Sequence, residues 1–421
     1  MPYRIFCLLL FTIVPLYPLR SQSLPEWVVS WVEQGNLWFW DSSTGQSLQL
    51  ASGEVLQPYL SPDGAHTAFT RGTADLAHSL WVVSNTPNAS PINLTENLPP
   101  LQDDQRLIAQ VAWQDNQTLL INTAVLNPLG LVRQDDLWQL SLASPQPRLI
   151  FPAGQGGDFT LNPDRTAFVL ISPGTYDAQP GTITLVTLPE FQRIEISTFP
   201  AVSTASNYRF YPPIHWTHTA SDSNASLPTG GFWVALPDSD LIYAASHEPH
   251  VHLHFVKWDG TVAEWLQDAL PPVEASLFGL PRWSASSDHV AYLRPVGALE
   301  SNQFELVLAS LESNMLIESV YTTGQAGELG VPTWLPAQSW LIYEQGEPGT
   351  HWLAAFGQPP RKLPTAVFAP AFVDDDIYVY ASAASTSFEL RYAPLSAGQS
   401  QPIAVVQNPV PVFAVQAKRA P

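Results

Sequence analysis

Hydrophobic and polar residues alternate along this chain in short runs of roughly four to eight positions, bounded by Gly, Pro, Asn, Asp and Ser. The most regular runs are Asn36-Leu37-Trp38-Phe39-Trp40, Ser79 to Val83, Asp136 to Leu140, Thr182 to Val186, His252 to Val256, Phe304 to Leu308, His351 to Ala355 and Phe388 to Tyr392. They are rich in β-branched and aromatic residues, as strands should be. No useful length of chain carries apolar residues at helical spacing. A second pattern precedes most of these runs: an apolar anchor, a turn, and the start of a strand. Its clearest copy is Leu60-Ser61-Pro62-Asp63-Gly64-Ala65-His66-Thr67-Ala68-Phe69, and weaker copies begin at Trp113, Leu161, Trp216, Trp283, Trp334 and Phe372. Each repeat reads as four strands: an inner one carrying the anchor, a second after the turn (Thr67 to Thr70, Val290 to Leu293), the regular third, and an outer one. Four-stranded units repeating along a chain predict small sheets arranged around an axis, an all-β β-propeller.

The two ends of the pattern are incomplete. Trp27 to Val32 already reads as a second strand, with no inner strand before it, and Val410 to Val415 reads as a strand with none after it. Pairing the C-terminal strand with the N-terminal sheet would complete one blade and leave no open sheet. Pro411 suits the start or edge of such a strand. Seven anchors plus the shared blade predict eight blades; seven blades, with one weak copy absorbed as a loop, is the competing count. The longest anchor interval, 216 to 283, holds the Ser/Thr/Asn/Gly-rich stretch Thr217 to Gly231, read as a loop. One propeller domain over residues 24–421 accounts for the pattern.

Residues 1–23 read as a signal peptide. Arg4 gives a positive start, Ile5 to Leu19 is apolar apart from Thr12, and Ser21-Gln22-Ser23 offers small residues for cleavage after Ser23. An uncleaved anchor is the competing reading. The chain is therefore expected to be exported, to the periplasm, the cell surface or the medium. Its only cysteine, Cys7, lies in the apolar segment, so the mature chain is expected to lack disulfides and thiol chemistry. With 37 acidic and 17 basic residues the net charge is -20, which disfavours nucleic acid and anionic lipid as partners.

The Ser61-Pro62-Asp63-Gly64 turn running into Phe69, followed by Ser79-Leu80-Trp81-Val82-Val83, resembles the WD40-like repeats of TolB-type β-propellers, and Asn162-Pro163-Asp164 through Ala167-Phe168 resembles them with a turn shorter by two residues. Similar propellers form one domain of prolyl-oligopeptidase-type enzymes. The resemblance implies a propeller over essentially the whole mature chain. It does not extend to the α/β domain that precedes the propeller in TolB-like proteins, nor to a hydrolase domain, whose Gly-x-Ser-x-Gly elbow is missing. The turn aspartate reads as structural, its carboxylate accepting backbone N–H groups, and it degrades to Asn116, Ser286 and Ala337 at the aligned positions.

Candidate chemistry is sparse. Six of the ten histidines fall between His215 and His254. On a strand, His250, His252 and His254 would share one face and are the candidate metal ligands, with His215 or His218 as a fourth. Ordinary strand histidines are the alternative. The acidic groups Asp103-Asp104, Asp135-Asp136 and Asp374-Asp375-Asp376 read as solvated turns. No catalytic constellation and no cofactor fingerprint stands out. The functional expectation is a non-enzymatic scaffold that binds a protein or peptide through its loop face near the 217–231 stretch. A propeller hydrolase or lyase using channel carboxylates or the histidines, and a carbohydrate-binding module, are the alternatives.

Overall fold

The eight regular runs form the third strands of eight antiparallel sheets. The computed structural model describes residues 26–418 except 101–104, 128–129, 175–178, 201, 204–210, 213, 217–230, 238–240, 243–250, 258–261, 267–281, 285–288, 297–302, 313–314, 326–327, 331, 336–339, 364–365, 375–376, 385, 396–398 and 408–410. From the inside outwards, blade 1 is Phe413–Ala417, Trp27–Glu33, Asn36–Asp41 and Gln46–Ala51; blade 2 is Val55–Leu60, His66–Thr73, Leu76–Ser84 and Ile92–Asn93. Blade 3 is Gln105–Trp113, Thr118–Asn127, Leu137–Ser141 and Ser144–Phe151, with Gly130–Arg133 as an added strand on the far half of Thr118–Asn127. Blade 4 is Asp158–Leu161, Ala167–Ser172, Gly181–Thr187 and Arg193–Phe199; blade 5 is Ile214–Trp216, Gly231–Pro237, Val251–Lys257 and Val262–Leu266. Blade 6 is Arg282–Trp283, His289–Pro295, Gln303–Glu312 and Met315–Gln325; blade 7 is Thr333–Trp334, Trp340–Glu344, His351–Ala355 and Arg361–Lys362; blade 8 is Phe368–Phe372, Ile377–Ala383, Ser387–Pro394 and Gln401–Gln407. The protein is an eight-bladed β-propeller.

Its core lies between blades. One buried cluster, with Val28, Phe39 and Phe69, fills the seam of blades 1 and 2; another, with Leu80, Trp113 and Leu119, that of blades 2 and 3. Leu120, Phe159 and Phe168 join blades 3 and 4, and Val169, Phe199 and Phe232 join blades 4 and 5. A larger cluster containing Trp233, Trp283 and Trp334 runs through blades 5, 6 and 7, with the Trp233 and Trp283 rings stacked at 4.1 Å. Leu335, Tyr378 and Tyr380 join blades 7 and 8, and Trp27, Val379 and Leu390 join blades 8 and 1. Strand alternation sends successive side chains to opposite seams, so each blade is apolar on both faces.

Ring closure follows the expected scheme. Phe413–Ala417 pairs antiparallel with Trp27–Trp31, with Val415 opposite Val29. The strand begins after Pro411, and the Val32 N–H donates to the Val412 carbonyl at 2.9 Å. Lys418 Nζ then bonds Asp41 at 2.8 Å and Glu26 at 3.2 Å, so the two ends of the propeller share an ion pair.

Six outer strands carry the same irregularity. Between third and outer strands the register skips one residue in blades 1, 3, 4, 5, 6 and 8, leaving Leu50, Ile150, Ile196, Trp265, Tyr321 and Ile403 unpaired. Leu50, Ile150, Ile196, Tyr321 and Ile403 pack on the seam clusters. A bulge twists the strand and turns an apolar residue inward where a flat strand would leave it facing water.

The closing ion pair generates a pH prediction. Burial pushes the Asp41 carboxyl up, but the Lys418 ammonium and the Ser43 N–H and hydroxyl outweigh it, so its pKa lies below the ordinary value. A depressed carboxyl contributes stability above its unfolded pKa and loses that contribution as pH falls through the folded one. Between about pH 5 and pH 2 the wild type should lose up to ~1 kcal/mol more stability than Asp41→Asn, read as the difference in denaturant midpoints.

Candidate functional site

Among the described residues, a side-chain-capped turn joins the inner and second strands of blades 2, 3, 4 and 8. In blade 2 the Ser61 N–H donates to the His66 carbonyl at 2.9 Å, the His66 N–H returns to Ser61 Oγ at 2.9 Å, and Asp63 Oδ1 accepts from Ser61 Oγ and the Ala65 N–H. Blade 4 repeats the arrangement with Asn162 for Ser61 and Asp164 for Asp63, and the Asn162 N–H donates to the Ala167 carbonyl. The two turns are therefore equally long; the Ala-Phe pair simply starts two residues earlier on its strand, which keeps the phenyl ring on the same face. Gly64 stands at φ +70° and its counterpart Arg165 at φ +60°. In blade 3 the carboxylate that caps the turn is Asp115, which accepts the Gln117 N–H at 2.7 Å, not the aligned Asn116. Asp374 does the same for the Ile377 N–H in blade 8. Ser286 and Ala337 lie outside the described residues. The turn aspartates are thus structural acceptors.

The anchor tryptophans do more than pack. Trp113 Nε1 donates to the Tyr59 carbonyl of blade 2 at 3.0 Å, Trp216 Nε1 to the Thr160 carbonyl of blade 4 at 3.1 Å, and Trp334 Nε1 to the Arg282 carbonyl of blade 6 at 2.7 Å. Blades 3, 5 and 7 are each tied this way to the inner strand of the blade before them.

The inner strands pair on one edge only, so their other edges wall a central channel. A cavity of about 570 Å³ lies towards the inner turns and is lined by residues of blades 1, 2, 3 and 4, among them Tyr59, Trp113, Leu161, Arg165, Phe413 and Val415. Blades 1 and 4 are not neighbours, so a space that both line is the channel itself. A second cavity, of about 460 Å³, opens at the opposite mouth against Leu56, Ala77, Leu107, Leu131, Arg133 and Val412. Gln57 and Tyr59 line both. Burial pushes the Tyr59 phenol up to about 12, so it stays neutral. Leu131 and Val412 are 58% and 48% exposed at this mouth.

Beside the mouth, blades 3, 4 and 5 are locked by polar groups. Asp136 accepts the Thr123 N–H, the Thr123 hydroxyl and the Trp138 indole N–H, each at 2.7 Å, replacing the main-chain pairing that the added strand interrupts. Asp135 Oδ1 accepts the Tyr211 hydroxyl at 2.7 Å, while the Arg133 guanidinium lies 4.2 Å from the Tyr211 ring centre and pairs with Asp158 at 2.9 Å. Asp135 and Asp136 are buried, at 5% and 4% exposure, which corrects their reading as a solvated turn. Burial is tolerated because their oxygens accept hydrogen bonds from these fixed donors.

The candidate metal ligands are only partly placed. His250, with His218 and His247, lies outside the described residues, as does most of 217–231. His252 is placed by its backbone, opposite Leu236. His254 sits opposite Val234, on the face towards blade 4, whereas His215 sits opposite Trp233 and packs on Trp283 of blade 6. His215 and His254 are therefore on opposite faces and cannot join one site. Among the described residues no three His, Cys, Asp or Glu side chains are grouped to hold a metal. The mouth residues Gln57, Leu131, Arg133 and Val412 carry no motif, and no sequence signal singled them out.

No protein-family model matches this sequence, and no curated protein does. Solved structures match by fold. A eukaryotic initiation factor aligns with a TM-score of 0.51 and 11% identity, over 92% of this chain and 87% of that one. The β-propeller domain of the Trilobed protease from Pyrococcus furiosus aligns at 0.48 and 13%, over 84% and 99% respectively. TolB from Acinetobacter baumannii aligns at 0.33 and 13%, over 72% and 65%. At such identities the likeness is one of fold.

The two kinds of aspartate should separate on mutation. Asp63→Ala removes an acceptor from a surface turn and should cost about 1 kcal/mol, whereas Asp136→Ala leaves three donors unpaired in a buried site and should cost ~3 kcal/mol or more, both read from urea unfolding.

Proposed function

We propose that this protein is an exported, non-enzymatic binding propeller that holds a polypeptide ligand at the mouth of its channel. The observation that carries this reading is the pair of exposed apolar side chains, Leu131 and Val412, on the rim of the 460 Å³ cavity. Exposed aliphatic residues around a preformed concave space mark a binding site more often than a stability feature. Covering the exposed half of each such side chain would contribute roughly 1 kcal/mol. The Gln57 amide further in can both donate to and accept from a peptide backbone. Asp75 and Arg133 stand on the same rim and supply one charge of each sign to orient it. Export is supported by the apolar segment Ile5 to Leu19 behind Arg4.

Panning a random peptide library against residues 24–421 tests the reading. Gln57 is exposed, so Gln57→Trp should leave the melting temperature within about 2 °C while obstructing the channel. Selected peptides are expected to share an apolar residue and to lose at least ~10-fold in affinity for Gln57→Trp. Peptides that bind the variant equally well, or retention of the protein on a glycan column in place of any peptide, would overturn it.

A further inference from the structure

The inner strand of blade 1 differs from the other seven in how it is held. Elsewhere a connection of the same blade joins inner and second strands, as Ser61 to Ala65 does in blade 2. Phe413–Ala417 instead meets Trp27–Trp31 from the other end of the chain, and its anchoring ion pair joins residues 392 positions apart. Its side chains are all half-exposed, whereas Trp27 to Trp31 are all buried. Phe413 and Val415 cover part of the Trp27, Val29 and Trp31 cluster, and Lys418 adds its bonds to Asp41 and Glu26. The opposite edge of the strand is unpaired and faces the channel. Phe413, Ala414, Val415 and Gln416 wall the deeper cavity, and Val412 rims the mouth.

We propose that Phe413–Ala417 is a ligand-coupled latch: a polypeptide in the channel and the closed ring stabilise one another. The proposal rests on the channel being the binding site. A half-exposed strand with no short turn to its partner is the kind of element that opens locally, below the free energy of global unfolding. When it leaves, the deeper cavity loses a wall, and Val412 at the mouth loses the strand that follows it. Any ligand that touches this wall binds the closed form better than the open one, and linkage then requires that the ligand hold the latch shut. Opening at blade 1 becomes the step that gates release.

Hydrogen exchange of the full chain, read by mass spectrometry, tests this with and without a peptide selected by panning. Without peptide, the amides of 413–417 should exchange at least ~10-fold faster than those of Leu119 to Ile121 in blade 3. With peptide at a hundred times its Kd they should slow ~100-fold, the same limit that linkage sets for Leu119 to Ile121 exchanging through global unfolding. Val29→Cys with Val415→Cys, oxidised, should make the strand slow in both conditions. Lys418→Ala, which leaves the cavities intact, should speed its exchange by up to ~5-fold. Exchange of 413–417 no faster than that of blade 3 without peptide would overturn the latch. Binding that leaves 413–417 unaffected would overturn the coupling. A panning experiment that yields no peptide would sink the channel reading and the coupling with it, while the ligand-free comparison still decides whether the strand opens.

Discussion

A blade of this propeller cannot bury its own surface. Its two faces are both apolar, and each is covered only by the next blade, so the ring is stable only as a ring. The seam clusters run without interruption from blade 1 to blade 8 and back through Trp27, Val379 and Leu390. Everything else in the molecule depends on that circular burial. The five residue pairs between Trp27–Trp31 and Phe413–Ala417 are what turn a row of sheets into a closed wall. Without them blade 1 would lack its inner strand, and its tryptophans would lose part of their cover.

The indole bonds of Trp113, Trp216 and Trp334 add direction to this non-directional packing. Each fixes where one inner strand sits relative to the one before it, and together they divide blades 2 to 7 into three pairs. A hydrogen bond from a buried indole to a neighbouring carbonyl contributes only about 1 kcal/mol net, but leaving it unmade would cost more. The polar lock around Asp135, Asp136 and Tyr211 does the same work on the opposite side of the ring, reaching from blade 3 to the connection before blade 5. These two devices hold the channel walls at fixed spacing, and a preformed cavity binds without first being ordered.

Most of this architecture was legible before the structure. The third strands of all eight blades could be read from their aromatic and β-branched runs, because strand propensity and burial act together in the middle of a sheet. The closing pair was legible because Trp27 to Val32 lacked an inner partner. Other features were not. Asp135 and Asp136 look like a turn because nothing in the sequence announces Gly130–Arg133 as an added strand, and that strand is what drives them inside. Asp115 was passed over for Asn116 because the turn in blade 3 is one residue shorter, which only the bond from Gln114 N–H to the Thr118 carbonyl reveals. The channel mouth was unreadable because Gln57, Leu131 and Val412 come from three blades and meet only through ring geometry. The histidine series suggested one site, yet strand alternation sends His215 and His254 to opposite seams.

The bulged outer strands have a consequence for how copies of this molecule meet. A propeller presents eight sheet edges to its surroundings, and a flat edge is a template on which a stray strand can crystallise into a fibre. Here six edges are interrupted by a bulge, and in five of them the bulged residue, from Leu50 to Ile403, turns inward. The remaining two, in blades 2 and 7, offer only Ile92–Asn93 and Arg361–Lys362, too short to seed a ladder, and the latter spends one of the chain's three lysines there. The described outer strands thus leave the rim without a long straight side on which a neighbouring strand could extend the sheet.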